Sequence, residues 1–152
     1  SQLVHYDING KYIEIEITES MLIVDINTCV SVLNELKLLN CSVSVDDFGT
    51  GYSSLSYLQK LPLDILKIDR SFVAESDVNI EYAEICSTIV NLAKSLKLTT
   101  SAEGIETKSQ LVALQKMGCE YFQGYYFHKP QTVDDASKLL TNKNVTISYE
   151  GY

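Results

Sequence analysis

Five short apolar runs, each closed by a polar residue or a glycine, alternate along the chain with segments of helical periodicity. Residues 1–11 are polar, include the turn-like Asn9-Gly10, and lead into Tyr12-Ile13-Glu14-Ile15-Glu16-Ile17. Strict alternation there predicts a strand with Glu14 and Glu16 on one face and the isoleucines on the other. Taken alone, the two glutamates suit a solvent-washed face. Val30, Leu33, Leu36 and Leu39 predict a helix capped by Asn27 or Thr28. Cys41 to Val45 is a short alternating strand that ends abruptly in Asp46-Asp47 and a turn containing Gly49 and Gly51. Ser53-Ser54 then caps a short helix to Lys60, which Pro62 stops.

The pattern repeats. Asp64 to Asp69 reads as a strand with Ile65 and Lys67 on one face, residues 71–79 as a loop, and Ile80 to Lys97 as an amphipathic helix. Leu98 to Glu103 is the next strand, followed by Gly104; Thr107 caps a helix to Met117, which Gly118 ends. Glu120 to Gly124 is a fifth strand, and Thr132 opens a last helix to about Leu140. In the polar tail Val145, Ile147 and Tyr149 alternate and predict a further strand.

Polar residues close these strands at Glu16, Asp46, Lys67, Glu103 and Gln123, at intervals averaging about 27 residues, near the roughly 30-residue unit of a (β/α)₈ barrel. The expected fold is therefore α/β: an incomplete TIM-type barrel of about five of eight β/α units, forming one domain with residues 1–11 as lead-in, 12–140 as the units and 141–152 as tail. The repetition also changes the reading of Glu16. Five strands with a polar group at the same end point to a shared rim rather than to solvated faces.

With 152 residues, 45% apolar and 21% charged, the chain has the size and composition of one globular domain. A net charge of −8 argues against binding a nucleic-acid polymer, which relies on basic surface. It leaves room for a phosphate substrate, because bound divalent cations reverse the local field. Cys29, Cys41, Cys86 and Cys119 lie in different predicted elements without a CxxC pair and read as buried thiols of a reducing cytoplasm. His5 and His128 form no ligand pair. Glu16, Asp46, Asp47 and Glu103 are hard oxygen donors suited to Mg²⁺ or Mn²⁺ rather than zinc, and adjacent aspartates with two further carboxylates suit a two-metal site. Lys67 would add a positive charge near an attacking water or a phosphate, and the Gln123 amide could hold a water.

Glu16-Ile17-Thr18-Glu19-Ser20, Asp46 to Ser54, Leu66-Lys67-Ile68-Asp69, Ala102-Glu103-Gly104-Ile105-Glu106 and Gln123-Gly124-Tyr125 together resemble the EAL-domain family, bacterial phosphodiesterases that linearise cyclic di-GMP to pGpG. The resemblance implies that Glu16 and Asp46 help bind one metal ion and that Asp46 bridges to a second, which Asp47 and Glu103 also bind. Lys67 would orient or activate the water, with Gln123 against the water and metals. Glu19 and Glu106 would be supporting carboxylates, Glu19 holding the loop after Asp47. The same resemblance implies a homodimer, with sensory or GGDEF-type domains upstream in a cytoplasmic or membrane-anchored parent protein.

Absent from the sequence are the family's Glu-Ala-Leu segment and an early asparagine, both of which belong to the first strands of its barrel. The chain is accordingly expected to be the C-terminal part of the domain, inactive or nearly so by itself, with two sheet edges to be covered. Two other readings stand beside the enzyme: a cyclic di-GMP receptor that does not cleave its ligand, and a dimerisation module.

Overall fold

The computed structural model describes residues 2–19, 21, 26–51 and 55–141. Its centre is a sheet of five strands in sequence order: β1 (Glu14–Thr18), β2 (Ser42–Phe48), β3 (Ile65–Ile68), β4 (Thr99–Ala102) and β5 (Tyr121–Phe122). Every neighbouring pair is parallel, so each strand must be joined to the next by a crossover. The helices are α1 (Gln2–His5), α2 (Ile26–Leu38), α3 (Leu55–Leu58), α4 (Arg70–Val73), α5 (Ile80–Leu96), α6 (Lys108–Met117) and α7 (Val133–Thr141). The result is an open run of β/α units, as in part of a (β/α)₈ barrel.

One face of the sheet makes the core. Val43, Val45, Leu66, Ile68 and Ala102 pack in one buried cluster with Cys86, Ile89, Val90 and Ala93 of α5 and with Leu111 and Leu114 of α6. Side chains alternate across a strand, so the register that buries Leu66 and Ile68 against the helices turns Lys67 to the opposite face. Cys41, Cys86 and Cys119 are buried free thiols and Cys29 is half-buried, and burial pushes the Cys86 thiol up to about 11.

Several boundaries differ from the sequence expectation, each for a local reason. Residues 1–11 are not simply a connection, because α1 lies within them. Tyr12 belongs to a 3₁₀ turn over Gly10–Tyr12, in which the Asn9 side chain accepts from the Lys11 amide, so the strand starts at Glu14. A Cβ at Gly10 would collide with the Leu39 carbonyl oxygen, which fixes the approach of this turn to the end of α2. Within the expected loop 71–79 lies most of α4, capped by the Asp69 side chain on the Ser71 amide. Helix α6 has the expected cap, completed by a reciprocal Thr107–Gln110 capping box, and ends at Gly118 with φ 90°. The helix expected from Ser53 is observed only as Leu55–Leu58; its proposed Ser53-Ser54 cap and the strand expected in the tail lie outside the described residues.

At the amino ends of the strands, carboxylates tie neighbours together. Asp64 Oδ2 accepts from the Val43 amide at 2.7 Å while Lys37 bonds both its oxygens at 2.6 and 2.7 Å. Glu120 was expected within a strand, but its side chain turns back and its Oε2 accepts from the Thr100 amide at 2.7 Å and the Thr100 hydroxyl at 2.8 Å. The fifth strand is correspondingly short. Glu120→Ala leaves both donors of a buried residue without that acceptor and should lower unfolding free energy by about 1–3 kcal/mol in urea titrations, with Glu120→Gln recovering part of the loss.

Candidate active site

Three strands deliver one side chain each to the same ammonium group. Lys67 of β3 bonds Glu16 of β1 at 2.6 Å, lies 3.6 Å from Asp46 of β2, and is in ion-pair contact with Glu103, the residue after β4. The Lys67 side chain is 5% exposed, against 51% for Glu16, 23% for Asp46 and 22% for Glu103, so the lysine is more enclosed than any of its acids. Burial acts to lower the Lys67 pKa, but hydrogen bonds from Glu103 and Glu16 and the nearby Asp46 charge outweigh it and raise it well above the ordinary lysine value. The group is a fixed cation at neutral pH.

The adjacent aspartates do different things. Asp46 continues the inward face of β2 and accepts from the Asp47 amide at 3.0 Å. Pairing between β2 and β3 is irregular between Val45 and Phe48, and Asp47 adopts φ 53°, a left-handed conformation uncommon outside glycine. The Asp47 carboxyl takes no part in the Lys67 ion pairs and lies near the Asp69 carboxyl. Desolvation, then the Asp46 and Asp69 charges, raise the Asp47 pKa. The Asp69 carboxyl is lowered: burial opposes this, but bonds from the Ser71 hydroxyl and amide prevail.

The loop after Asp47 hangs on Glu19. This carboxylate is buried, and its Oε2 accepts from the Gly49 amide at 3.0 Å and the Gly51 amide at 3.2 Å. Its Oε1 and the buried Ser44 hydroxyl, which lies on the face shared with Asp46, have no hydrogen-bond partner among the described residues. Gly49, at φ 99°, lies so close to the Phe72 ring that a Cβ would crowd it.

The remaining site residues stand at the carboxyl ends of β4 and β5. Burial raises the Glu103 pKa; Lys67 opposes the shift, and the Asp46 and Glu16 charges add to it. Gln123 is exposed, and its backbone links two strands by donating to Ala102 O at 2.9 Å and accepting from Ile105 N at 3.0 Å. The Glu106 carboxylate is exposed. Support for this segment comes instead from Gln110, which the sequence reading passed over although its place three residues after Thr107 is a capping-box signal. Asp69 was also passed over as a neighbour of Asp47; nothing in the linear spacing announces that proximity.

Glu16, Asp46, Asp47 and Glu103 offer only oxygen donors, the chemistry of a Mg²⁺ or Mn²⁺ site. Burial, with the neighbouring acids adding to it, raises Asp47 and Glu103 against the pull of Lys67, and a divalent cation would favour their charged forms. Among the described residues no three acids are close enough together to share one ion. Glu16, Asp46 and Glu103 converge on the Lys67 ammonium instead.

The EAL domain family profile matches residues 1–130, and the chain belongs to that family. It is 45% identical over 119 residues to the cyclic di-GMP phosphodiesterase NbdA of Pseudomonas aeruginosa, covering 78% of this chain and 15% of NbdA. The solved PaMucR phosphodiesterase–cyclic di-GMP complex superposes with a TM-score of 0.83 at 37% identity, covering 88% of this chain and 54% of that one. The manganese and cyclic di-GMP complex of Klebsiella pneumoniae BlrP1 superposes at 0.77 with 31% identity, over 84% of this chain and 33% of that one. The chain thus spans a minor part of the curated relative and about half of the PaMucR chain.

Glu19→Ala should release the loop after Asp47 without unfolding the sheet. Losing bonds to a charged acceptor is worth about 1.5–3 kcal/mol, so the Gly49 and Gly51 amides should exchange with deuterium at least about tenfold faster while the β3 amides are unchanged.

Proposed function

We propose that this chain forms part of the active site of a metal-dependent phosphodiesterase that hydrolyses cyclic di-GMP to linear pGpG. The observation that carries the reading is the buried Lys67 at the convergence of Glu16, Asp46 and Glu103, within a chain of a family whose relative NbdA is a cyclic di-GMP phosphodiesterase. Glu16, Asp46, Asp47 and Glu103 would hold two divalent cations, Mg²⁺ or Mn²⁺. When bound, such cations lower the pKa of a water and neutralise phosphate charge.

The chain's own residues do the rest. Lys67, enclosed among Glu16, Asp46 and Glu103, would orient or activate the attacking water and steady phosphoryl charge. The Gln123 amide holds water at the same rim. Glu19 keeps the loop after Asp47 in place. The open sheet, ending at β1 and β5, supports a barrel closed by strands outside residues 1–152. A homodimer, upstream sensory or GGDEF-type domains, and a cytoplasmic setting complete the proposal. Buried free thiols support that compartment; no described helix is long and apolar enough to cross a membrane.

The test is hydrolysis of cyclic di-GMP by the intact natural protein with Mg²⁺ or Mn²⁺, with pGpG identified by chromatography. Lys67→Ala should lower kcat by at least about 100-fold, the scale of removing one preorganised donor, and residues 1–152 alone should show almost no turnover. Binding without cleavage by the intact protein would establish a receptor instead. Neither binding nor cleavage would leave the dimerisation module.

A further inference from the structure

Between the loop carrying Asp47 and the loop carrying Glu103 lies the four-residue helix α4, and it touches both. On one side, the Phe72 ring packs on Gly49 of the Asp47 loop. On the other, Arg70 lies against Gly104, which has φ 72° and where a Cβ would collide with the arginine side chain. One polar side chain then locks the arrangement. Gln110 is buried at 6% exposure; its Oε1 accepts from the Glu106 amide at 2.8 Å and the Thr107 amide at 3.0 Å, and its Nε2 donates to the Ala74 carbonyl at 2.9 Å.

The acceptor bonds belong to a helix cap, but the donor bond does not. A capping box needs only an oxygen at this position, and glutamate serves it as well as glutamine. The Nε2 bond leaves the helix and reaches the residue that ends α4, spanning 36 positions of sequence. Buried polar groups that are fully paired fix one geometry of the segments they join. Here those segments are the Glu103–Thr107 loop and the helix that carries Asp69 and Phe72.

We propose that Gln110 is a positioning residue for phosphodiester hydrolysis: through Ala74 and α4 it locks the Glu103 loop to the Asp47 loop, so that the acids on the two strand ends keep a fixed spacing. Its kinetic consequence rests on the phosphodiesterase reading above; its mechanical consequence does not.

Gln110→Glu separates the two roles, since it keeps the capping oxygen and removes the donor facing Ala74. Gln110→Leu removes both and serves as the structural control. In the intact protein, Gln110→Glu should reduce kcat at least about tenfold with KM changed less than about threefold, at a temperature where melting curves show it folded. Deuterium exchange should accelerate at residues 103–107 and also at 47–51, with β3 and α5 unchanged. Exchange that quickens only at Glu106 and Thr107, or a kcat within twofold of wild type in folded Gln110→Glu, would overturn the proposal and leave Gln110 a helix cap. If the wild-type protein hydrolyses no cyclic di-GMP, the phosphodiesterase reading falls, and the exchange at 47–51 alone decides whether Gln110 couples the loops.

Discussion

One enclosed ammonium has to satisfy acids from three separate strands, and the arrangement of the sheet follows from that demand. A lysine on a buried strand face is costly unless its charge is met by geometry good enough to offset desolvation. Glu16 and Glu103 bond it directly and Asp46 stands slightly further off. No two adjacent strands suffice. The parallel order β1 to β4 and its register are what bring Glu16, Asp46 and Glu103 around Lys67. A shift of one residue in β3 would turn Lys67 into the apolar layer occupied by Leu66 and Ile68.

The second constraint is backbone strain at Asp47. A non-glycine residue at φ 53° persists only where its surroundings hold it. Glu19 takes the amides of Gly49 and Gly51, and the Phe72 ring closes the space beside Gly49. Strain and electrostatics therefore meet at one turn.

Much of this was legible in the sequence because it rests on local periodicity. Alternation in Glu14–Ile17 and in Cys41–Val45, the Thr107 cap and the Gly118 stop mark elements with little reference to distant residues. The strand-end positions of Glu16, Asp46, Lys67 and Glu103 could be read because the side-chain period of a strand fixes which face each occupies. Helix α4 was read as loop: four residues are too few to show a helical period, and its cap becomes visible only through Asp69 bonding the Ser71 amide. The Asp47–Asp69 and Gln110–Ala74 contacts were invisible for another reason. They depend on how two crossovers lie over the end of the sheet, which no spacing along one segment encodes.

The two ends of the sheet treat their acids in opposite ways, and this contrast explains why the chemistry belongs at one of them. At the amino ends, Asp64 and Glu120 are saturated by backbone amides, a lysine and a hydroxyl, so their charge is spent on holding strands together. At the carboxyl ends, Glu16, Asp46 and Glu103 share the Lys67 ammonium, and burial, with neighbouring acids adding to it, raises Asp47 and Glu103. Acids that serve only stability would be expected to find amides and cations as Asp64 does. An array left with surplus negative charge beside a fixed cation is poised for a ligand that supplies further positive charge, and the EAL fold places it where barrel enzymes assemble their active sites. Lys67 lets the array fold before that ligand arrives, by meeting enough of the repulsion to keep the strand ends in register.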